Sequence, residues 1–230
     1  MAYRVGDSLK KGDKKMNLPN KITVSRIVMI FVMIIAMFVL AFFPNLTVKS
    51  LGNSHINLVY LIFTIVFILA AFTDMLDGKI ARKCNLVTDL GKFLDPIADK
   101  LLNDAMMIFL LVPQAYAPEQ RRDPVMLTVL LICVVLMIAR DLIVDALRLV
   151  AVKKNIVIAA NIFGKAKTVL QMVAIPMLLL NDWPFNYFDN KWPQALQISN
   201  WFFYAATIMS VVSGVIYVYQ NRNVFKEFSK

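Results

Sequence analysis

Between Asp74 and Asp99 the chain reads DMLDGKIARKCNLVTDLGKFLDPIAD, five carboxylates in 26 residues set between two apolar stretches. Asp74 and Asp77 are three apart and share one helix face, while Asp95 and Asp99 are four apart and share a face of the next helix. Two antiparallel helices joined by a short loop bring these four acids together. Such a cluster repels itself unless cations or protons neutralise it. All-oxygen ligands suit a hard divalent ion, Mg²⁺ or Mn²⁺. Gly78 and Ala81 remove side-chain bulk beside the acids, so a nucleotide or phosphate can approach the helix, and Arg82 offers a forked donor for its oxygens. Aspartates at helix ends also act as plain caps, and Asp95 before Pro96 resembles a helix opening. Taken together, the paired acids, small residues and arginine favour metal binding over capping.

The elements that must position these residues follow from composition. Of the 230 residues 59% are hydrophobic and 17% charged, with a mean hydropathy of +0.65, which points to an integral membrane protein. The apolar runs are long and continuous, which argues for helices and against a β-barrel. Six spans are expected, near 22–43, 56–76, 93–112, 124–145, 163–180 and 198–219. The stretches FPNLTVKSLGNSH, PQAYAPEQRRDP and NDWPFNYFDNKWPQ carry turn residues between spans. Trp183, Trp192, Trp201 and Tyr187 lie near predicted ends, as interfacial aromatics do. No cleavage site follows the first span, which is read as retained. Cys84, Cys133 and His55 show no ligand spacing and receive no role.

Charge gives an orientation. Of 25 basic residues, 21 fall on one side of the predicted spans, which places both termini in the cytoplasm. The net charge of +10 then belongs mostly to one face, suited to anionic lipid and anionic soluble substrates. The basic residues flank membrane spans rather than forming a separate basic domain, which argues against nucleic acid as a partner.

The pattern Asp-x-x-Asp-Gly-x-x-Ala-Arg, eight residues, Gly-x-x-x-Asp-x-x-x-Asp is met by Asp74, Asp77, Gly78, Ala81, Arg82, Gly91, Asp95 and Asp99. It resembles the CDP-alcohol phosphotransferase family. Similarity to members that use glycerol 3-phosphate extends through NLPNKITVSR, NLVTDLGKFLDPIADKLL, ARDLIVDALR and GKAKT, over residues 16–225. Residues 1–15 form a basic extension outside the pattern and 226–230 a basic tail. The resemblance implies an all-α bundle of six transmembrane helices, a homodimer, and a site facing the cytoplasm at the cell membrane. It implies that Asp74, Asp77, Asp95 and Asp99 hold divalent metal, with Asp99 also the general base. Gly78, Ala81, Arg82 and Gly91 match positions around the CDP moiety, and Asn20 and Thr23 are weaker candidates for that pocket.

The chemistry implied is attack by a hydroxyl of sn-glycerol 3-phosphate on CDP-diacylglycerol, releasing CMP. Arg140 and Arg148 are about two helical turns apart, so both can face one cavity, and Lys165 and Lys167 open the fifth span. These four are the candidates for the acceptor phosphate; phosphatidylglycerol, inositol phosphate, inositol and serine are the alternative acceptors. Ion or metal transport is the alternative of a different class, but it predicts acids towards the membrane midplane or an inverted repeat. Asn103, Asp104 and Asp145 receive no role from the pattern.

Overall fold

The computed structural model describes residues 18–42, 56–83, 89–111, 123–153, 161–189 and 191–222; for 18–20, 41, 74–83, 89–93 and 152–153 the description is of backbone alone. The terminal segments 1–15 and 226–230, together with His55 and Cys84, lie outside the described residues. Six long helices account for most of the rest: α1 (Leu18–Phe42), α2 (Leu58–Lys83), α3 (Asp89–Phe109), α4 (Pro124–Lys153), α5 (Ile162–Leu179) and α7 (Ile198–Gln220). A four-residue helix, α6 (Asn186–Asp189), sits in the last connection. No strand occurs among the described residues.

Among the described residues four helical stretches are long and apolar enough to cross a membrane: Lys21–Leu40, Pro124–Ala151, Ile162–Leu179 and Ile198–Gln220. The apolar part of α2 is shorter, Leu58–Thr73, before its acidic end. α3 falls short because Asp95, Asp99, Lys100 and Asp104 interrupt its apolar face. α2 and α4 continue past the ends expected from hydropathy, because helical hydrogen bonding persists where the side chains turn polar. Pro96 lies inside α3, two turns beyond its start at Asp89. Asp95 is therefore not the helix-opening cap that the Asp-Pro pair suggests.

α1 packs on α2 and α3; α7 packs on α4 and α5; α2 meets α5 across the middle. The core between them includes Phe63, Phe67, Phe109, Met137, Ile175 and Phe203. Outside, large apolar side chains are exposed on every long helix, among them Phe31, Phe38, Ile68, Leu142, Val169 and Val215. That outer face is suited to lipid. α7 shows the inversion best: Thr207, Ser210, Ser213 and Gly214 are buried, whereas Ile208, Val211, Val215 and Val218 are exposed. Small and hydroxylic residues let helix backbones approach where lipid offers no hydrophobic drive to do so.

The connection before α7 is tied by acids. Asn181 and Asp182 adopt left-handed φ values of 57° and 63°, which Asn and Asp tolerate better than most residues. This turn buries Asp182 beside the wholly buried Asp189. Their carboxylates accept from the first amides of α7: Ser199 N donates to Asp182 Oδ1 at 2.8 Å and Ile198 N to Asp189 Oδ2 at 2.8 Å. The Asp182 carboxyl is pushed up to about 6, by burial first and then by the neighbouring Asp189 carboxylate. The folded chain therefore holds this proton more tightly than the unfolded chain, whose ordinary value is 3.8. Its contribution to stability is greatest below about pH 4, falls as pH rises to about 6 and is flat above. Thermal unfolding in detergent should show that decline, and Asp189→Asn, which supplies an amide partner, should flatten it.

Candidate active site

A cavity of about 290 Å³ opens where α3, α4, α5 and α7 converge. α3 contributes Asp99, Lys100, Asn103 and Asp104; α4 contributes Arg140, Asp141, Asp145 and Arg148. Lys165 and Lys167 enter from α5 and Tyr217 from α7. All four basic residues singled out in the sequence thus line one space, and Asp99 lines it with them. Their sequence positions make this possible: Arg140 and Arg148 repeat on one face of α4, and α5 begins just where Lys165 and Lys167 can turn inward.

The cations are not left to repel one another. Asp141 accepts from Arg140 Nη1 at 2.7 Å through Oδ1 and from Lys167 Nζ at 2.5 Å through Oδ2. Lys167 is buried, so its ammonium depends on this partner. Arg148 donates through Nη2 to the Tyr217 hydroxyl at 2.9 Å, and that oxygen also accepts from Asn161 N at 3.2 Å. The Tyr217 ring lies 5.4 Å from the Arg148 guanidinium carbon and 5.9 Å from that of Arg140. One aromatic side chain therefore stands against both arginines. Lys100 and Asp145 form an ion pair from α3 to α4, which gives Asp145 a place. Asn103 Nδ2 donates to the Asp99 carbonyl at 3.0 Å and lies 3.4 Å from its carboxylate, one turn along α3.

One turn before Asp99 on α3, Asp95 Oδ1 accepts from Thr23 Oγ1 at 2.7 Å. Thr23 is buried on α1 and Asp95 is exposed, so the hydroxyl orients a carboxylate that faces open space. Hydrogen-bonded ligands of this kind are the usual supports of a metal site. Asp74, Asp77, Gly78, Ala81 and Arg82 lie on the last turns of α2, Gly91 on the first turn of α3 and Asn20 on the first turn of α1; their side chains are outside the described residues. Among the described residues no three acidic, histidine or cysteine side chains converge closely enough to hold a metal ion. Asp95 and Asp99 supply carboxylate oxygen only, a donor set that fits Mg²⁺ or Mn²⁺.

Two residues escape the sequence reading. Asp141 adjoins Arg140, and neighbours one apart on a helix do not face each other, so pairing there is invisible in spacing. Tyr217 sits in an apolar span where an aromatic reads as core. The one sequence signal available is that α7 carries Ser210, Ser213 and Gly214 in a run otherwise apolar.

Residues 16–212 match the family model of the CDP-alcohol phosphatidyltransferases. The CDP-diacylglycerol–glycerol-3-phosphate 3-phosphatidyltransferase of Bacillus subtilis is 40% identical over 210 residues, covering 91% of this chain and 97% of the relative. The protein of the same name in Mycoplasma pneumoniae is 35% identical, covering 93% and 90%. That of Rickettsia felis is 37% identical, covering 72% and 76%. With its acidic motif on α2 and α3, and with a family match over most of its length, the chain belongs to the CDP-alcohol phosphatidyltransferase family.

Proposed function

We propose that this protein transfers the phosphatidyl group of CDP-diacylglycerol to sn-glycerol 3-phosphate, giving phosphatidylglycerophosphate and CMP. The observation that carries this reading is the single cavity in which Asp99 shares walls with Arg140, Arg148, Lys165 and Lys167. A dianionic acceptor needs cations, and a reacting hydroxyl needs a base within reach. The names of the relatives add the same donor and acceptor.

In this mechanism the basic residues bind the phosphate of the acceptor and leave its primary hydroxyl directed towards α3. Asp99 accepts the hydroxyl proton as the oxygen bonds to the lipid-linked phosphorus. The bond from that phosphorus to the CMP oxygen breaks, and CMP departs with the electron pair. Asp74, Asp77, Asp95 and Asp99 would hold Mg²⁺ or Mn²⁺, which supplies charge neutralisation to the pyrophosphate. Thr23 keeps Asp95 oriented; Gly78, Ala81, Arg82, Gly91 and Asn20 surround the CDP group in this reading. No covalent enzyme intermediate is required.

The site's setting completes the proposal. The chain is a multi-pass membrane protein whose domain covers residues 16–225, with six spans, both termini and the cavity on the cytoplasmic side of the cell membrane, and a homodimeric assembly. The excess of basic residues on that side supports the orientation. The acyl chains of the donor remain in the bilayer while the soluble acceptor enters from water.

CMP release by purified protein, with CDP-diacylglycerol and Mg²⁺ or Mn²⁺, tests the proposal against glycerol 3-phosphate, phosphatidylglycerol, inositol phosphate, inositol and serine. Turnover is expected with glycerol 3-phosphate; preference for another acceptor would refute the acceptor assignment. Asp99→Asn should lower kcat by about 10²–10⁴-fold, the usual scale for a lost general base. Arg140→Ala should raise KM for glycerol 3-phosphate by roughly 10–100-fold, corresponding to a lost charge-assisted hydrogen bond, with KM for CDP-diacylglycerol little changed. Thr23→Val should raise the Mg²⁺ concentration needed for half-maximal activity by about tenfold while Thr23→Ser stays near wild type. An unchanged Mg²⁺ titration for Thr23→Val would remove Thr23 as a support of the metal site.

A further inference from the structure

Gly214 lies well inside α7, where glycine is a poor helix former and needs a reason to be present. The reason is Arg140. A Cβ at position 214 would stand 2.7 Å from Arg140 Cγ and 3.8 Å from its Cβ, inside the space the side-chain stem occupies as it leaves α4. The stem therefore runs across the bare backbone of α7. Its far end is caught by the preceding residue: Arg140 Nη2 donates to Ser213 Oγ at 2.5 Å. Ser213 is fully buried, so its hydroxyl is not exchanged for water.

α5 closes the arrangement from the other side. A Cβ at Gly164 would meet Ser213 Oγ at 3.3 Å and Arg140 Nη2 at 3.5 Å. The guanidinium thus passes through a gap bounded by Gly214 and Ser213 on α7 and by Gly164 on α5. Its other terminal nitrogen is held by Asp141. Arginine has many rotamers, and these contacts select one of them before any ligand arrives.

We propose that Ser213 and Gly214 are positioning residues for the acceptor, fixing the Arg140 guanidinium at the phosphate subsite. They act through Arg140 and touch no reacting atom. The inference rests on the reading of Arg140 as an acceptor-phosphate ligand, and it assigns α7 a part in selectivity that the acidic motif on α2 and α3 does not contain. Serine supplies a fixed acceptor and glycine supplies room; neither alone holds the rotamer.

Steady-state kinetics of purified full-length protein in detergent separate this role from a merely structural one. Ser213→Ala and Gly214→Ala should each raise KM for glycerol 3-phosphate about tenfold, with kcat and KM for CDP-diacylglycerol changed less than about twofold. Gly164→Ala, whose added carbon meets Ser213 Oγ tightly at 3.3 Å and Arg140 Nη2 at an ordinary 3.5 Å, should give a smaller rise in the same constant. If Gly214→Ala does not fold, Ser213→Ala carries the test, with thermal unfolding to show an intact bundle. Unchanged acceptor KM in Ser213→Ala, or an equal loss for both substrates, overturns the positioning role while Arg140→Ala still shows its selective effect. If Arg140→Ala itself leaves acceptor KM unchanged, the reading beneath the proposal fails instead.

Discussion

The Asp141 carboxylate is the interaction on which the basic half of the cavity depends. It holds Arg140 with one oxygen and the buried Lys167 with the other. Two cations brought this close, with little water between them, repel strongly and lose their hydration. A carboxylate between them reverses the first effect and offsets the second. Removing one member of such a buried set commonly costs about 3–5 kcal/mol, because the remaining charges stay behind unpaired. The triad retains one net positive charge, so pairing does not extinguish the attraction for an anion. It converts two flexible side chains into a fixed cationic surface, to which Arg148 and Lys165 add from the same cavity.

That triad depends in turn on how α4, α5 and α7 pack. Asp141 reaches Lys167 because α4 and α5 both pack on α7, and Arg140 reaches Ser213 on that shared helix. Close approach is achieved by small residues on the inner faces, while the outer faces keep the bulk that suits lipid. The Asp182 and Asp189 carboxylates fix the opposite end of α7 by accepting from its first amides. Tyr217, near the far end of the same helix, bears on both arginines. α7 is therefore constrained at its start by capping and near its end by Arg140 and Arg148.

The helices and the acidic motif are legible in the sequence because both are one-dimensional signals. Long apolar runs mark α1, α4, α5 and α7, and acids three or four apart fall on one helix face wherever that helix packs. The eight-residue repeat from Arg140 to Arg148 is legible for the same reason. What is not legible is set by the crossing of helices distant in the chain. Ser213 and Arg140 are 73 residues apart, and Tyr217 and Arg148 are 69. No periodicity links them. The Asp95-Pro96 pair misleads in a different way: Pro96 lies two turns inside α3, where it lacks an N–H for the helical ladder, and the helix continues through it, so the local opening signal is overridden.

The motif acids and the candidate acceptor cations are carried by different helices, the acids by α2 and α3 and the cations by α4 and α5. Left to pair freely, such groups would form direct salt bridges and leave no charge for a substrate. Two local pairings limit this. Asp141 occupies the inward cations from within their own half, and Lys100 joins Asp145 across the boundary between α3 and α4. The second pair draws a motif-side cation to a carboxylate on the cation-bearing helix, fastening the two halves at the edge of the cavity without using Asp99 or Arg140. A cavity that Asp99 shares with fixed cations fits the proposed reaction, in which one substrate is held by its phosphate while its hydroxyl loses a proton.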